Sequence, residues 1–102
     1  MRGRISDRLY ARYGPGAVIA GGSDGIGFSL ASLLAEAGFD VVLLARREDV
    51  LDRAATALRE LYEVAVHTVV VDLSEKKAVD TITDWMIRAN AGLLVYNAAA
   101  SP

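Results

Sequence analysis

Ala20-Gly21-Gly22-Ser23-Asp24-Gly25-Ile26-Gly27 is a glycine-rich turn set between an apolar run and a helical pattern. Before it, Ala17-Val18-Ile19-Ala20 reads as a short buried strand. After it, Ile26, Leu30, Leu33, Leu34 and Ala37 recur at helical spacing and are expected to form a buried helix face. Strand, glycine turn and helix in that order build an anion site, because free backbone N–H groups and the positive end of the helix converge on the turn. Glycine serves there twice: positive φ costs little without a Cβ, and a phosphate can approach the bare backbone. The pyrophosphate of a dinucleotide is the expected occupant.

The spacing Gly21-x-x-x-Gly25-x-Gly27 is wider than the G-x-G-x-x-G dinucleotide fingerprint. A P-loop would need a lysine where Phe28 stands, which argues against nucleoside triphosphate hydrolysis. A tight strand-to-helix turn whose glycines serve only packing is the plain alternative.

The chain has 102 residues, enough for one small domain, and is 53% hydrophobic. No apolar stretch approaches the ~20 residues of a membrane span. A net charge of -2 gives no electrostatic case for nucleic acid or an anionic membrane. With no cysteine and one histidine, disulfides and a cysteine-based zinc site are excluded. Together these features point to a cytoplasmic protein.

Residues 1–14 read as an amphipathic arm, with Arg2, Arg4, Arg8 and Arg12 set against Ile5, Leu9 and Tyr13. The arm is expected to pack across the domain or against a partner, and residues 15–102 form the domain proper. Gly14-Pro15-Gly16 breaks the chain before the first strand. The first domain helix should end near Ala37, with Gly38 as its left-handed cap. Val41-Val42-Leu43-Leu44-Ala45 is an unalternating run that suits a parallel strand buried on both faces. A helix follows with Val50, Leu51, Ala54, Leu58, Leu61 and Tyr62 inward, then a strand over Val64 to Val71. Ser74 is the expected N-cap of a third helix carrying Val79, Ile82, Trp85, Met86 and Ala89 inward. Leu93-Leu94-Val95-Tyr96 is the fourth strand. This β-α-β-α-β-α-β order predicts an α/β fold, half of a doubly wound Rossmann-type parallel sheet with strand order 3-2-1-4. The glycine turn then lies at the switch point, where ligands bind in such sheets.

With these pieces in place, the sequence resembles the amino-terminal, cofactor-binding half of a short-chain dehydrogenase/reductase. The family's T-G-x-x-x-G-x-G motif corresponds to residues 20–27, with Ala20 in place of Thr. The Ser23–Gly27 stretch and Arg12-Tyr13-Gly14-Pro15 are similar to members acting on steroids or long acyl chains. The resemblance implies an adenine contact at Asp72, with Leu73 beside it. It aligns Tyr96-Asn97-Ala98-Ala99 with the family's Asn-Asn-Ala-Gly, matching at Asn97 and Ala98 and departing at Tyr96 and Ala99. The implied cofactor-binding residues are Gly21, Ser23, Gly25, Ile26, Gly27, Arg46, Arg47, Asp72, Leu73, Asn97 and Ala98.

Cofactor choice follows from the end of the second strand. An NAD site places an acid there to hold the ribose 2′-hydroxyl, whereas this chain has Ala45-Arg46-Arg47. The planar guanidinium suits a 2′-phosphate, so NADP(H) is favoured over NAD(H), with Arg46 the first contact and Arg47 the second. The plain alternative makes these arginines a solvated start to the second helix.

The resemblance also implies a catalytic Ser and a Tyr-x-x-x-Lys beyond the Asn-Ala-Gly turn. Here no lysine follows any tyrosine at that spacing: after Tyr10, Tyr13, Tyr62 and Tyr96 come Gly14, Ala17, Val66 and Ala100. The chain is therefore expected to be truncated before the catalytic half and inactive by itself, with no catalytic or metal residue of its own. His67 is expected to be a strand-face residue, not a ligand. The fourth strand is expected to be a sheet edge, which invites a homo-oligomer. Two functions remain open: the NADP(H)-binding portion of an oxidoreductase acting on a carbonyl or alcohol, and a non-catalytic nucleotide-binding or structural module.

Overall fold

A computed structural model describes residues 5–21 and 25–97. The elements run α1 (Ile5–Tyr13), β1 (Gly16–Ala20), α2 (Gly25–Ala37), β2 (Asp40–Ala45), α3 (Glu48–Leu61), β3 (Val66–Val70), α4 (Lys77–Arg88) and β4 (Ala91–Tyr96). The strands form one parallel sheet in the order β3-β2-β1-β4, as the alternating pattern predicts. Among the described residues β4 pairs with β1 alone.

The two central strands explain their own composition. Each residue of β1 is buried, and β2 is buried from Val41 to Ala45, because helices cover both faces. On one face Ala17, Ile19, Val41 and Leu43 pack with α2 and α3 around the fully buried Phe39. On the other, Val18, Ala20, Val42 and Leu44 pack against Ile82 of α4, with Trp85 and Met86 half-buried beside it. His67 lies on that second face beside Trp85, ring centroids 5.5 Å apart, as a strand-face residue. The amino-terminal arm packs across the domain: Leu9 reaches the first cluster, and Tyr10 meets Phe39 edge-on at 5.1 Å.

The expected helix faces are buried in part: Leu34, Leu51, Ala54, Leu58 and Ile82 point inward as expected, whereas other positions do not. In α2 the buried residues are Gly27, Ala31, Leu34 and Ala35, while Ile26 is 70% and Leu33 43% exposed. Gly27, Ala31 and Ala35 recur every four residues, so a strip of the smallest side chains faces the sheet and lets the helix backbone come close. In α3 the inward residues are Leu51, Ala54, Ala55 and Leu58, and Leu61 is 66% exposed. In α4 Ala78 takes the inward position expected of Val79, which is exposed. Hydrophobic periodicity weighs large side chains, whereas close packing here favours small ones.

Helix ends show the same mixture of agreement and correction. Gly38, at φ 110°, ends α2 with Gly38 N–H donating to Ala35 O at 3.0 Å and Phe39 N–H to Leu34 O at 3.0 Å. That is the Schellman pattern expected of a glycine at this place. Ser74 does not cap α4, whose N-cap is Lys76. Asp72 captures Ser74 first, as described below.

Candidate functional site

The carboxyl ends of four parallel strands lie side by side, and each carries a residue singled out in the sequence. Gly21 follows β1, Arg46 follows β2, Asp72 lies just past β3, and Asn97 follows β4. Backbone hydrogen bonds continue the ladder into these ends. Gly21 N–H donates to Leu44 O at 2.6 Å, Val71 N–H to Ala45 O at 2.8 Å, and Asn97 N–H to Ala20 O at 2.8 Å. The sequence-predicted residues are therefore held on a row of adjacent strands, spaced by about 4.8 Å per strand. Ser23 and Ala98 lie outside the described residues.

At β1 the chain turns through Gly21, with φ 84°, and enters α2 at Gly25, with φ 54°. Both values lie in the left-handed region that residues with a Cβ avoid. A Cβ built on Gly25 meets no atom of the other described residues within 4 Å. The first turn of α2 contains no acidic residue, whereas α3 opens with Glu48 and Asp49. In the first turn of α2, Ile26 is exposed and Gly27 is buried.

At β2 the two arginines differ. Arg47 leans on Asp49, N to O 3.6 Å, while Arg46 is exposed and forms no salt bridge among the described residues. At β3 the Asp72 carboxylate accepts two hydrogen bonds on the same oxygen. Ser74 N–H reaches Asp72 Oδ1 at 2.9 Å and Ser74 Oγ–H reaches it at 2.7 Å. These two bonds hold the Asp72 carboxyl below its ordinary value; slight desolvation opposes them and the nearby Arg46 charge assists. Leu73 is half-buried and packs against the Ile82 cluster, which fixes the base of this turn. Ser74 is the residue that sequence reasoning misplaced. The Asp-x-Ser spacing was the available signal, because a serine two residues after an aspartate can bond back to it.

The arrangement sets positive-φ glycines at β1, an exposed guanidinium at β2 and a hydrogen-bonded carboxylate at β3 on adjacent strand ends. No group of three or more metal-ligating side chains exists among the described residues. No helix among them is long and apolar enough to cross a membrane.

Residues 16–102 match the family model for short chain dehydrogenases. The chain is 37% identical over 95 residues to very-long-chain 3-oxoacyl-CoA reductase of Homo sapiens, covering 89% of this chain and 30% of that protein. The Bos taurus reductase is 38% identical over 88 residues, covering 86% and 28%. Among solved structures, L-sorbose reductase from Gluconobacter frateurii, complexed with NADPH and L-sorbose, superimposes with a TM-score of 0.79. It is 37% identical, over 87% of this chain and 35% of that one. A 3-oxoacyl (acyl-carrier-protein) reductase from Agrobacterium tumefaciens C58 with NADP bound gives a TM-score of 0.80 at 28% identity, over 97% of this chain and 38% of that one. The chain thus spans about a third of the length of these relatives.

Proposed function

Since the chain belongs to the short-chain dehydrogenase family, we propose that it is the NADP(H)-binding portion of an oxidoreductase that interconverts a carbonyl and an alcohol. The reading rests on one observation above the others. Arg46, exposed and without a salt bridge among the described residues, occupies the strand end where an NAD site would place a carboxylate. The NADPH and NADP complexes of the sorbose and acyl-carrier-protein reductases support the same cofactor here.

The residues present fit the group. The dinucleotide would lie across the strand ends, with its pyrophosphate on the Gly21–Gly25 turn and the positive end of α2. Gly25 leaves room for a phosphate oxygen, and Gly27 brings the helix close beneath it. Ile26 would flank the pyrophosphate, and Ser23 would donate to it. Arg46 would hold the 2′-phosphate, with Arg47 as the outer, weaker contact. Asp72 and Leu73 would border the adenine. Asn97 and Ala98 would sit beside the inner ribose, beyond the switch between β1 and β4. When bound, the cofactor supplies or accepts the hydride. The 102 residues bind and orient; they contain no Tyr-x-x-x-Lys to move the accompanying proton, so by themselves they are proposed to be inactive.

Calorimetric titration of the chain with NADPH and NADH tests this reading. A charge-assisted contact of about 1.5–3 kcal/mol corresponds to an affinity preference of roughly ten- to a hundredfold for NADPH. Equal affinity for both would remove the role given to Arg46.

A further inference from the structure

Among the described residues β3 stands at the outside of the sheet and pairs with β2 alone. In a parallel ladder the N–H and C=O of one residue point to the same side, and successive residues alternate sides. Val41 N–H donates to Ala65 O at 3.0 Å, and Val71 N–H donates to Ala45 O at 2.8 Å. The backbone groups of residues 65, 67, 69 and 71 therefore turn toward β2, and those of Val66, Thr68 and Val70 turn outward. The segment that carries them is Val64-Ala65-Val66-His67-Thr68-Val69-Val70-Val71. It is rich in β-branched side chains, has no glycine or proline, and has no Lys, Arg, Asp or Glu between Glu63 and Asp72. An uncharged run of this kind on an outer strand is a template for pairing with its own copy, because no like charges oppose one another.

Arg59 meets this strand at its first outward carbonyl. It stands in the last turn of α3, where a cation suits the negative end of the helix, and its Nη2 donates to Val66 O. That contact agrees with the alternation, since Val66 is one of the residues turned away from β2. A second strand arriving here would need Val66 O as an acceptor, and it would have to strip water from a guanidinium that can only donate. We propose that Arg59 closes the outer side of β3 to a second copy of this chain, so that the segment 66–71 completes the sheet without recruiting another strand. The inference is independent of the NADP(H) reading.

The experiment is sedimentation velocity over a concentration series of the parent chain and Arg59 variants, read together with amide hydrogen exchange along β3 and β4. Arg59→Ala should self-associate about tenfold or more tightly than the parent, the scale of one charge-assisted hydrogen bond. Its Thr68 and Val70 amides should exchange more slowly as concentration rises, because those are the groups a second strand would engage. Arg59→Gln, which keeps a helix-forming residue and removes the charge, is measured in parallel and should also associate more tightly than the parent. Arg59→Lys should behave as the parent does. Val70 is 54% exposed, so Val70→Lys added to Arg59→Ala should return self-association to the parent level by placing a cation on the same strand. Self-association no tighter in Arg59→Ala and Arg59→Gln than in the parent overturns the proposal. So does concentration-dependent protection that falls on the amides of β4 and leaves those of Thr68 and Val70 unchanged.

Discussion

The two ends of the sheet use glycine for opposite reasons. At the amino ends of the strands, glycines mark places where backbone meets backbone. A Cβ on Gly16 would collide with the Ala89 carbonyl oxygen, and one on Gly92 with the Tyr13 carbonyl oxygen. A Cβ on Gly14 would stand 2.7 Å from Tyr10 O. The same end is tied by Asp40, whose N–H donates to Pro15 O at 2.9 Å and whose Oδ1 accepts from Ala65 N–H at 3.0 Å. At the carboxyl ends, Gly21 and Gly25 have positive φ, and a Cβ on Gly25 meets no atom of the other described residues within 4 Å. One end is closed by the chain itself, and the other is the one proposed to receive the cofactor. Identical residues are steric in the first case and conformational in the second.

This contrast can be broken by substitution. The largest expected effect is on stability at the closed end. Gly16→Ala forces a methyl into a backbone carbonyl and should cost about 2–3 kcal/mol, as overpacking does. At ~4–8 °C per kcal/mol, thermal melting should fall by more than about 10 °C. A melting temperature unchanged by Gly16→Ala would break the steric reading of this end. At the carboxyl ends, Gly25→Ala meets no atom of the other described residues, so the left-handed backbone is the resistance expected, at about 1–2 kcal/mol. The sharper expected change there is in ligand binding: if the pyrophosphate lies on this turn as proposed, NADPH affinity should fall further than the stability loss alone explains.

Smaller effects sharpen the comparison at the strand ends. Arg46→Ala should leave melting within about 0.5 kcal/mol of the parent, as an exposed residue does, yet lower NADPH affinity roughly ten- to a hundredfold. Its NADH affinity should not move. Arg47→Ala should do less, because that guanidinium is already shared with Asp49 across an exposed pair. An Arg47→Ala effect exceeding that of Arg46→Ala would reverse the assignment. The smallest effect is on acid stability. The folded Asp72 carboxyl titrates below its ordinary value of 3.8, so its stabilising contribution is complete above that pH. It is lost as pH falls through the folded value. Ser74→Ala should remove this contribution, leaving stability at pH 7 slightly lower and its decline below about pH 4 shallower than in the parent. Parallel acid unfolding curves would count against the two Ser74 bonds.

The sequence carried the carboxyl ends better than the closed end. Strand order, the Gly38 cap, Gly21 and Arg46 follow from short-range patterns: apolar runs, a glycine spacing, and the residue after a run; Asp72 and Asn97 were singled out by the family resemblance. The roles of Gly16 and Gly92 depend on Ala89 and Tyr13, partners distant in sequence that no local pattern reveals. Ile26 and Leu33 of α2 and Val79 of α4 were misplaced for a related reason, while Ile82, Trp85 and Met86 of α4, and Ala89 just past it, pack inward as expected. Ile26 and Val79 look like core by size, but the sheet accepts Gly27, Ala31 and Ala78 because a close helix leaves no room for larger side chains. Ser74 was local and still misread, since a serine before a helix suggests a cap, and only the structure decides between that and the preceding aspartate.

The most direct test is a map of backbone amide NMR shifts as NADPH is added to the chain. The account predicts that the changes concentrate at Gly21, Gly25, Arg46, Asp72 and Asn97, while Gly14, Gly16 and Gly92 at the closed end stay still. Changes centred on the closed end, or none anywhere at saturating NADPH, would contradict it.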